Sequence, residues 1–114
     1  MKIINTTKNV TLADNVILTQ TTLARLRGLL FRKEFRKGEA LIIKPCNSIH
    51  MFFMSFPIDV IFVDSNDRIV KIHKGIKPFR ATPVYFKSKF AIELPAGTLE
   101  GTNTTESDTL TVIP

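Results

Sequence analysis

Two groups of side chains in this sequence have the types and spacing to do chemistry. Cys46, His50 and Met54 recur at every fourth position and carry the sulfur and imidazole groups that bind soft metal ions. Asp59 and Glu93 are carboxylates embedded among aliphatic residues, where one can act as a general acid and the other as a base. The elements that hold these residues decide whether either group can assemble.

The spacing of the first group does not suit a metal centre, because its segment has the composition of a strand. Isoleucine, phenylalanine and methionine dominate Ile49–Met54. In a strand, residues 50 and 54 are about 13 Å apart, too far to share one ion. A Cys46–His50 nucleophile pair meets the same obstacle, since nucleophile and base must approach to about 3 Å. The sequence therefore predicts no metal and no cofactor, and we interpret Cys46 as a small, partly buried thiol.

Asp59 is the stronger anomaly, because it follows Pro57 by two residues and directly precedes an apolar run. A buried carboxylate is costly unless it is paired and hydrogen-bonded. The expected partners are backbone amides near Pro57, or the side chain of Arg27 or Arg80. Two interpretations stay open: an ion pair that fixes the strand corner, or a pocket in which Asp59, an arginine and Glu93 converge on a ligand.

The apolar patterning predicts many short strands and one short helix. Strands are expected within residues 2–7, 9–19, 40–44, 49–54, 58–63, 68–76, 89–97 and 106–114, and residues 77–86 are expected to be extended and irregular. In the strand at 68–76, Ile69, Lys71 and His73 should face one way and Val70, Ile72 and Lys74 the other. Leucines at helical spacing predict a helix within 21–32. The fold class is mainly β, a compact single-domain β-sandwich or barrel with one short α-helix packed against it.

Length and composition favour one globular domain. The chain has 114 residues, 44% of them hydrophobic, and a single cysteine, which cannot form an internal disulfide. No apolar segment reaches the roughly 20 residues of a membrane-spanning helix, and the first residues lack a signal-peptide core. We expect a cytoplasmic protein without a membrane span.

Positive charge is concentrated in two blocks, although the net charge of +6 is moderate. Residues 25–37 carry six bases and one acid, residues 68–89 carry seven bases and no acid, and residues 90–114 carry four acids and no base. Such blocks indicate either a solvated surface or a face that attracts nucleic acid, an anionic surface or an acidic partner. No nucleic-acid module signature accompanies them, so nucleic acid is the less favoured partner.

Four motifs, RLRGLLFR, PCNSIHMFFMSFPIDVIFVD, IKPFR and ELPAGT, resemble in order those of the domain of unknown function 192 family, also called uncharacterised protein family 0127. The family pattern falls on Arg25, Gly28, Leu29, Met54, Pro57, Asp59, Phe62, Asp64, Pro78, Arg80, Glu93, Pro95 and Gly97. The resemblance covers about 22–112 and implies a compact, jelly-roll-like β domain with a helix packed on it. It implies no reaction. Ser107 departs from the pattern, because the family has glycine before the aspartate at 108.

Three functions are compatible with these residues. The first is a non-catalytic binding or accessory module whose polar pocket binds a small polar molecule or a peptide end. Its expected ligand-binding residues are Arg27, His50, Met54, Asp59, Arg80 and Glu93. The second is a small hydrolase or isomerase that uses the carboxylates of Asp59 and Glu93 as acid and base. The third is binding of an anionic surface or of nucleic acid through blocks 25–37 and 68–89.

Overall fold

A computed structural model of the chain describes residues 1–19, 35–51 and 55–114. These residues form eight strands: β1 (Lys2–Asn5), β2 (Val10–Ala13), β3 (Asn15–Thr19), β4 (Glu39–Ile43), β5 (Ile58–Val63), β6 (Ile69–Ile76), β7 (Phe90–Pro95) and β8 (Leu110–Ile113). The prediction of a mainly β chain is therefore confirmed. The helix predicted within 21–32 lies outside the described residues, and no helix that could cross a membrane occurs within them.

The smaller sheet joins the two ends of the chain. It has three antiparallel strands in the order β2-β1-β8. The turn between β1 and β2 passes through Asn9, whose φ of 54° is a left-handed conformation that asparagine tolerates. The pairing of β1 with β8 is regular from Lys2–Ile113 to Asn5–Leu110, so the first and last strands are neighbours.

The larger sheet has five strands in the order β3-β4-β7-β5-β6. The pairing of β3 with β4 is parallel and the other pairings are antiparallel. Every residue of β5 is buried, which explains why its sequence is apolar at every position except Asp59 instead of alternating. Over the described ranges the two sheets stay separate, so no closed barrel is found. The all-antiparallel pairing of a jelly roll is not found either, because β3 and β4 are parallel.

Two apolar clusters lie on opposite faces of the five-stranded sheet. The first is shared with the smaller sheet and includes Ile3, Leu12 and Leu110 together with Ile42, Ile61, Ile92 and Leu94. The second includes Leu41, Val60, Phe62 and Ala91, and it is covered by Ile49, Met51 and Tyr85 from irregular segments. The central strands are thus packed on both faces, and any side chain that points from them is enclosed.

The strand predicted at Ile49–Met54 is wrong for the residues that can be examined. Residues 49–51 are not in a strand, and residues 52–54 lie outside the described part of the chain. His50 makes one isolated bridge with Ala81 in the irregular segment 77–86. That segment contains Pro78 and Pro83, which have no N–H to donate, so a continuous ladder cannot form there.

The alternation predicted for β6 is also wrong, because the strand contains a bulge. Val63 pairs with Ile69, whereas its neighbour Phe62 pairs with Lys71, so one residue of β6 is extra at this point. The side chains of Ile69 and Ile72 consequently both join the first cluster, although alternation assigns them to opposite faces. A bulge changes the facing of every residue that follows it.

Candidate functional site

Asp59 is buried on β5, with 1% of its surface exposed. Its Oδ1 accepts a hydrogen bond from the backbone amide of Gly75 at 2.8 Å, and its Oδ2 accepts one from the amide of Leu99 at 3.1 Å. The expected burial and hydrogen bonding of this carboxylate are thus found, but its donors come from distant segments and not from the corner at Pro57. Asp59 ties β5 to the end of β6 and to the loop after β7.

Arginine partners for Asp59 are not found in the described part of the chain, where no base lies within ion-pair distance of it. Arg80 is exposed, and its carbonyl oxygen accepts a hydrogen bond from the Met51 amide at 2.7 Å. Arg27 and Met54 lie outside the described residues. Because Asp59 itself is enclosed, a ligand would contact the loop that Asp59 holds and not its carboxylate.

Glu93 and Asp59 point to opposite faces of the sheet. Glu93 pairs directly with Val60, and Asp59 pairs with Leu94. Cross-strand partners share a face and successive residues alternate, so the side chain of Glu93 lies on the side of the second cluster and Asp59 on the side of the first. Both are fully or almost fully buried. The structure does not bring the two carboxylates into one cleft, as an acid–base pair requires.

Cys46 and His50 occupy the irregular layer over the second cluster. The Sγ of Cys46 donates a hydrogen bond to the carbonyl oxygen of Ser48 at 3.1 Å, and the side chain is half-buried. His50 is half-buried and bridges Ala81. Among the described ranges no group of three or more His, Cys, Asp or Glu side chains could hold a metal ion.

A cleft lies beside the loop that Asp59 holds. It has a volume of about 710 Å³ and is formed by three segments that are distant in sequence. These are the end of β2 with Asp14, residues 35–38, and the loop 95–102. Of the residues predicted for ligand binding, the four that the structure describes, His50, Asp59, Arg80 and Glu93, do not line it. Asp59 acts on it indirectly, because its bond to Leu99 fixes the middle of loop 95–102 from the core side.

Loop 95–102 is stiffened by hydrogen bonds within itself. The hydroxyl of Thr98 donates to the carbonyl of Pro95 at 2.7 Å, and the hydroxyl of Thr102 donates to that of Leu99 at 2.8 Å. Leu99 is buried in the first cluster. With the bond to Asp59, these contacts hold the loop at both ends and in the middle, so this wall of the cleft is preformed.

The side chains of the cleft are mixed in charge. Asp14 and Glu100 contribute carboxylates, Lys37 contributes an ammonium, and Thr11 contributes a hydroxyl. Counting only the described lining, the cleft has one more negative than positive group, in contrast to the net charge of +6 for the whole chain. A ligand with a positive group and several hydrogen-bonding atoms suits this lining.

A second polar group, which the sequence did not indicate, lies on the opposite face. The Nε2 of His73 is 2.7 Å from the hydroxyl oxygen of Tyr85, and the ring of Tyr85 packs 4.9 Å from that of Phe62. Burial lowers the pKa of His73, and the positive charge of Lys71 lowers it further. The histidine is therefore neutral near pH 7. The bulge in β6 explains why alternation could not assign it to this face.

Asp108, the aspartate of the family pattern, links the two ends of the chain. Its carboxylate accepts hydrogen bonds from the side chain of Asn5 at 3.0 Å and the amide of Thr105 at 3.0 Å, and it pairs with the ammonium of Lys8 at 3.1 Å. Burial alone would raise its pKa, but these partners outweigh burial and lower the pKa of Asp108 to about 2. The group is structural, since it connects β1 to the segment before β8.

Comparison with known proteins gives a consistent result. The DUF192 family model, described as an uncharacterized ACR, matches residues 3–112. A UPF0127 protein of Pyrococcus horikoshii is 35% identical over 103 residues, which span 86% of this chain and 87% of that protein. A UPF0127 protein of Thermococcus kodakarensis is 34% identical, over 98% of this chain and 73% of its own length.

A crystal structure supports the fold. A protein of unknown function from Novosphingobium aromaticivorans DSM 12444 has a TM-score of 0.80 and 20% identity, over 97% of this chain and 82% of that one. The family model spans almost the entire chain, and the two UPF0127 relatives exceed 30% identity over most of their length. The chain therefore belongs to the uncharacterised DUF192 family, also named UPF0127.

Proposed function

We propose that this protein is a binding module whose ligand occupies the cleft beside loop 95–102. The observation that carries the proposal is the tie from Asp59 to Leu99, which places a buried carboxylate behind one wall of that cleft. A wall that is already ordered costs little conformational entropy when a ligand binds. A volume of about 710 Å³ lies in the range of small-molecule sites.

The chemistry of the lining favours a small polar molecule with a positive amine, such as the amino end of a peptide. Asp14 and Glu100 supply acceptors for an ammonium group, and the hydroxyl of Thr11 supplies a further hydrogen bond. The hydroxyl of Thr98 donates to a carbonyl of its own loop, so its oxygen keeps acceptor lone pairs, whereas the Thr102 oxygen already accepts from the Thr104 amide at 3.3 Å. Acceptors thus outnumber donors, which suits a ligand rich in N–H groups.

The experiment is a thermal-shift titration with free amino acids, putrescine, and short peptides whose amino end is either free or acetylated. A ligand at 100 times its dissociation constant stabilises the folded state by about 2.7 kcal/mol. For a chain of this length that corresponds to an increase in Tm of roughly 11 °C. We expect the increase with amine-bearing compounds and its loss on acetylation. No increase with any of these probes would contradict the proposal.

The matched variants are Thr11→Arg and Thr111→Arg. Both threonines are exposed and both pair with Ile4, one from each side of the smaller sheet, but only Thr11 lines the cleft. An arginine at 11 fills the cleft and opposes a positive ligand, whereas an arginine at 111 adds the same charge elsewhere. We expect Thr11→Arg to abolish the ligand-dependent increase in Tm and Thr111→Arg to retain it. Equal effects of the two variants would locate binding elsewhere.

A further inference from the structure

The irregular segment 77–89 exposes large apolar side chains among basic ones. Phe86 exposes 89% of its surface, Phe79 exposes 73% and Val84 exposes 48%. An apolar side chain with this exposure contributes little to the stability of the fold and remains in contact with water. Three such side chains occur within this one segment, a concentration that the packing of the fold does not explain.

Hydrogen bonds place this segment along one side of the molecule. The amide of Phe79 donates to the carbonyl of Met51 at 2.8 Å, and the amide of Tyr85 donates to that of Asn47 at 2.8 Å. The exposed residues therefore lie alongside segment 47–51, with Phe79 next to Met51 and Phe86 near Asn47. Residues 47 and 51 are at most about 13 Å apart if the chain is extended. The backbone positions that carry Phe79 and Phe86 therefore lie along one short stretch of the surface.

The charge of this segment is entirely positive. Lys77, Arg80, Lys87 and Lys89 are exposed, and residues 68–89 contain no acid. Bases that flank protruding apolar side chains are the combination that peripheral proteins use at anionic lipid surfaces. The apolar groups enter the interface, while each nearby base is attracted by the negative headgroups. From this geometry we propose that segment 77–89 is a docking surface for anionic lipid bilayers.

A bilayer suits these side chains better than a nucleic acid does. Single-stranded nucleic acids bind by stacking bases on aromatic rings along a basic groove. Here the apolar set includes the aliphatic Val84, which cannot stack on a base but can enter a lipid interface. Tyr85 is turned inward to His73, and Phe90 is buried in the first cluster, so neither ring is displayed for stacking.

The test uses the absence of tryptophan from this chain, which makes an introduced tryptophan a specific probe. Phe86→Trp places it on the proposed surface, and Ile17→Trp places it at another exposed apolar site, where 52% of the side chain is exposed. Each variant is mixed with vesicles of phosphatidylcholine alone, vesicles containing 30% phosphatidylglycerol, and a single-stranded oligothymidylate. We expect a blue shift of emission only for Phe86→Trp, and only with the anionic vesicles.

Sedimentation with the same vesicles gives the energetic measurement. Each base at a bilayer surface contributes a factor of roughly five to binding, so Lys87→Gln should weaken it about fivefold and Lys2→Gln, on β1, less than twofold. Phe86→Ala should weaken it about tenfold, and Ile17→Ala should not change it. Higher salt should weaken binding of the wild type, because the attraction is screened.

Several outcomes would overturn the inference. They are a shift of Phe86→Trp with the oligonucleotide but not with the vesicles, equal shifts of the two tryptophan variants, or binding to neutral and anionic vesicles alike. No binding to either kind of vesicle would overturn it as well. Phe86 is almost fully exposed, so these variants are not expected to impair folding, and unchanged urea unfolding verifies this.

Discussion

Replacing Asp59 tests the tie between the sheet and loop 95–102. Charge-assisted hydrogen bonds contribute about 1.5–3 kcal/mol each. In Asp59→Ala both amides lose their acceptor, but Gly75 is exposed and its amide can bond to water, whereas Leu99 is buried. We expect a loss of about 3–5 kcal/mol for Asp59→Ala. Asp59→Asn keeps one acceptor and sets an NH2 group against the other amide, for a loss of about 2–3 kcal/mol.

Asp64 provides a matched control for this measurement. Its Oδ1 also accepts two backbone hydrogen bonds, from the amides of Asn66 at 2.8 Å and Arg68 at 3.0 Å, but in an exposed turn. Asparagine forms the same kind of turn, and water can replace a lost bond. Asp64→Asn should therefore cost less than about 1 kcal/mol. Urea unfolding of the three variants and the wild type gives the free energies of unfolding directly.

Amide hydrogen exchange distinguishes a local tie from a general loss of stability. In Asp59→Ala, the Leu99 amide should exchange much faster relative to the amides of β5 and β7, because its acceptor has gone. A variant as stable as the wild type, with protection of Leu99 unchanged, would refute the structural role of Asp59. The same result would favour the interpretation of Asp59 as a pocket residue, which is retained for ligand binding although it lowers stability.

Two further predictions concern the joins between segments. The folded-state pKa of Asp108 lies below the ordinary value, so its contribution is complete above about pH 4 and is lost as the pH falls through about 2. Because solvent reaches the Lys8 ammonium, we expect Asp108 to contribute about 1–2 kcal/mol to the free energy of unfolding. Urea unfolding from pH 5 to 2 measures this contribution, and in Asp108→Asn the free energy of unfolding should vary less with pH. Gly38 and Gly97 have φ of +88° and +92°, and only at Gly38 does an added Cβ meet an atom, the Asp14 Oδ1 at 2.8 Å. Asp14 is exposed and its side chain can turn away, so Gly38→Ala and Gly97→Ala should each cost about 1–2 kcal/mol in unfolding experiments, and a much larger loss at 38 would contradict this.

Local patterns were sufficient to predict most of the strands. The run IDVIFV between Pro57 and the turn at Asp64 predicted β5 at its observed bounds, because a strand buried on both faces is apolar at nearly every position, here at all but Asp59. The same reasoning failed at residues 49–51, the described part of the predicted strand Ile49–Met54, although the composition there is similarly apolar. The difference lies in the partner, because the segment opposite contains prolines that prevent a ladder. Composition records burial, but pairing depends on another part of the chain.

The candidate site could not be predicted in this way, because its geometry depends on register. Asp59 faces away from Glu93 because Val60 pairs with Glu93. The sequence of neither strand alone specifies this pairing. Likewise, the cleft combines residues 11–14, 35–38 and 95–102, which approach one another only when both sheets are formed. The anomaly of Asp59 was visible in the sequence. The loop that it holds was not visible there, because every residue except proline has a backbone amide, and the residue type therefore does not reveal which amide is the donor.

Asp59 couples the stability of the fold to the shape of the cleft, and two variants can separate these effects. Thr11→Arg changes the cleft at an exposed position, so it should abolish ligand binding and leave the free energy of unfolding near that of the wild type. Asp59→Ala removes the hydrogen bond that holds this wall from the core side, so it should lower stability and weaken binding together, because the loop must then be ordered by the ligand. If Asp59→Ala lowers stability but leaves the ligand affinity unchanged, the tie serves the fold alone and the cleft does not depend on it.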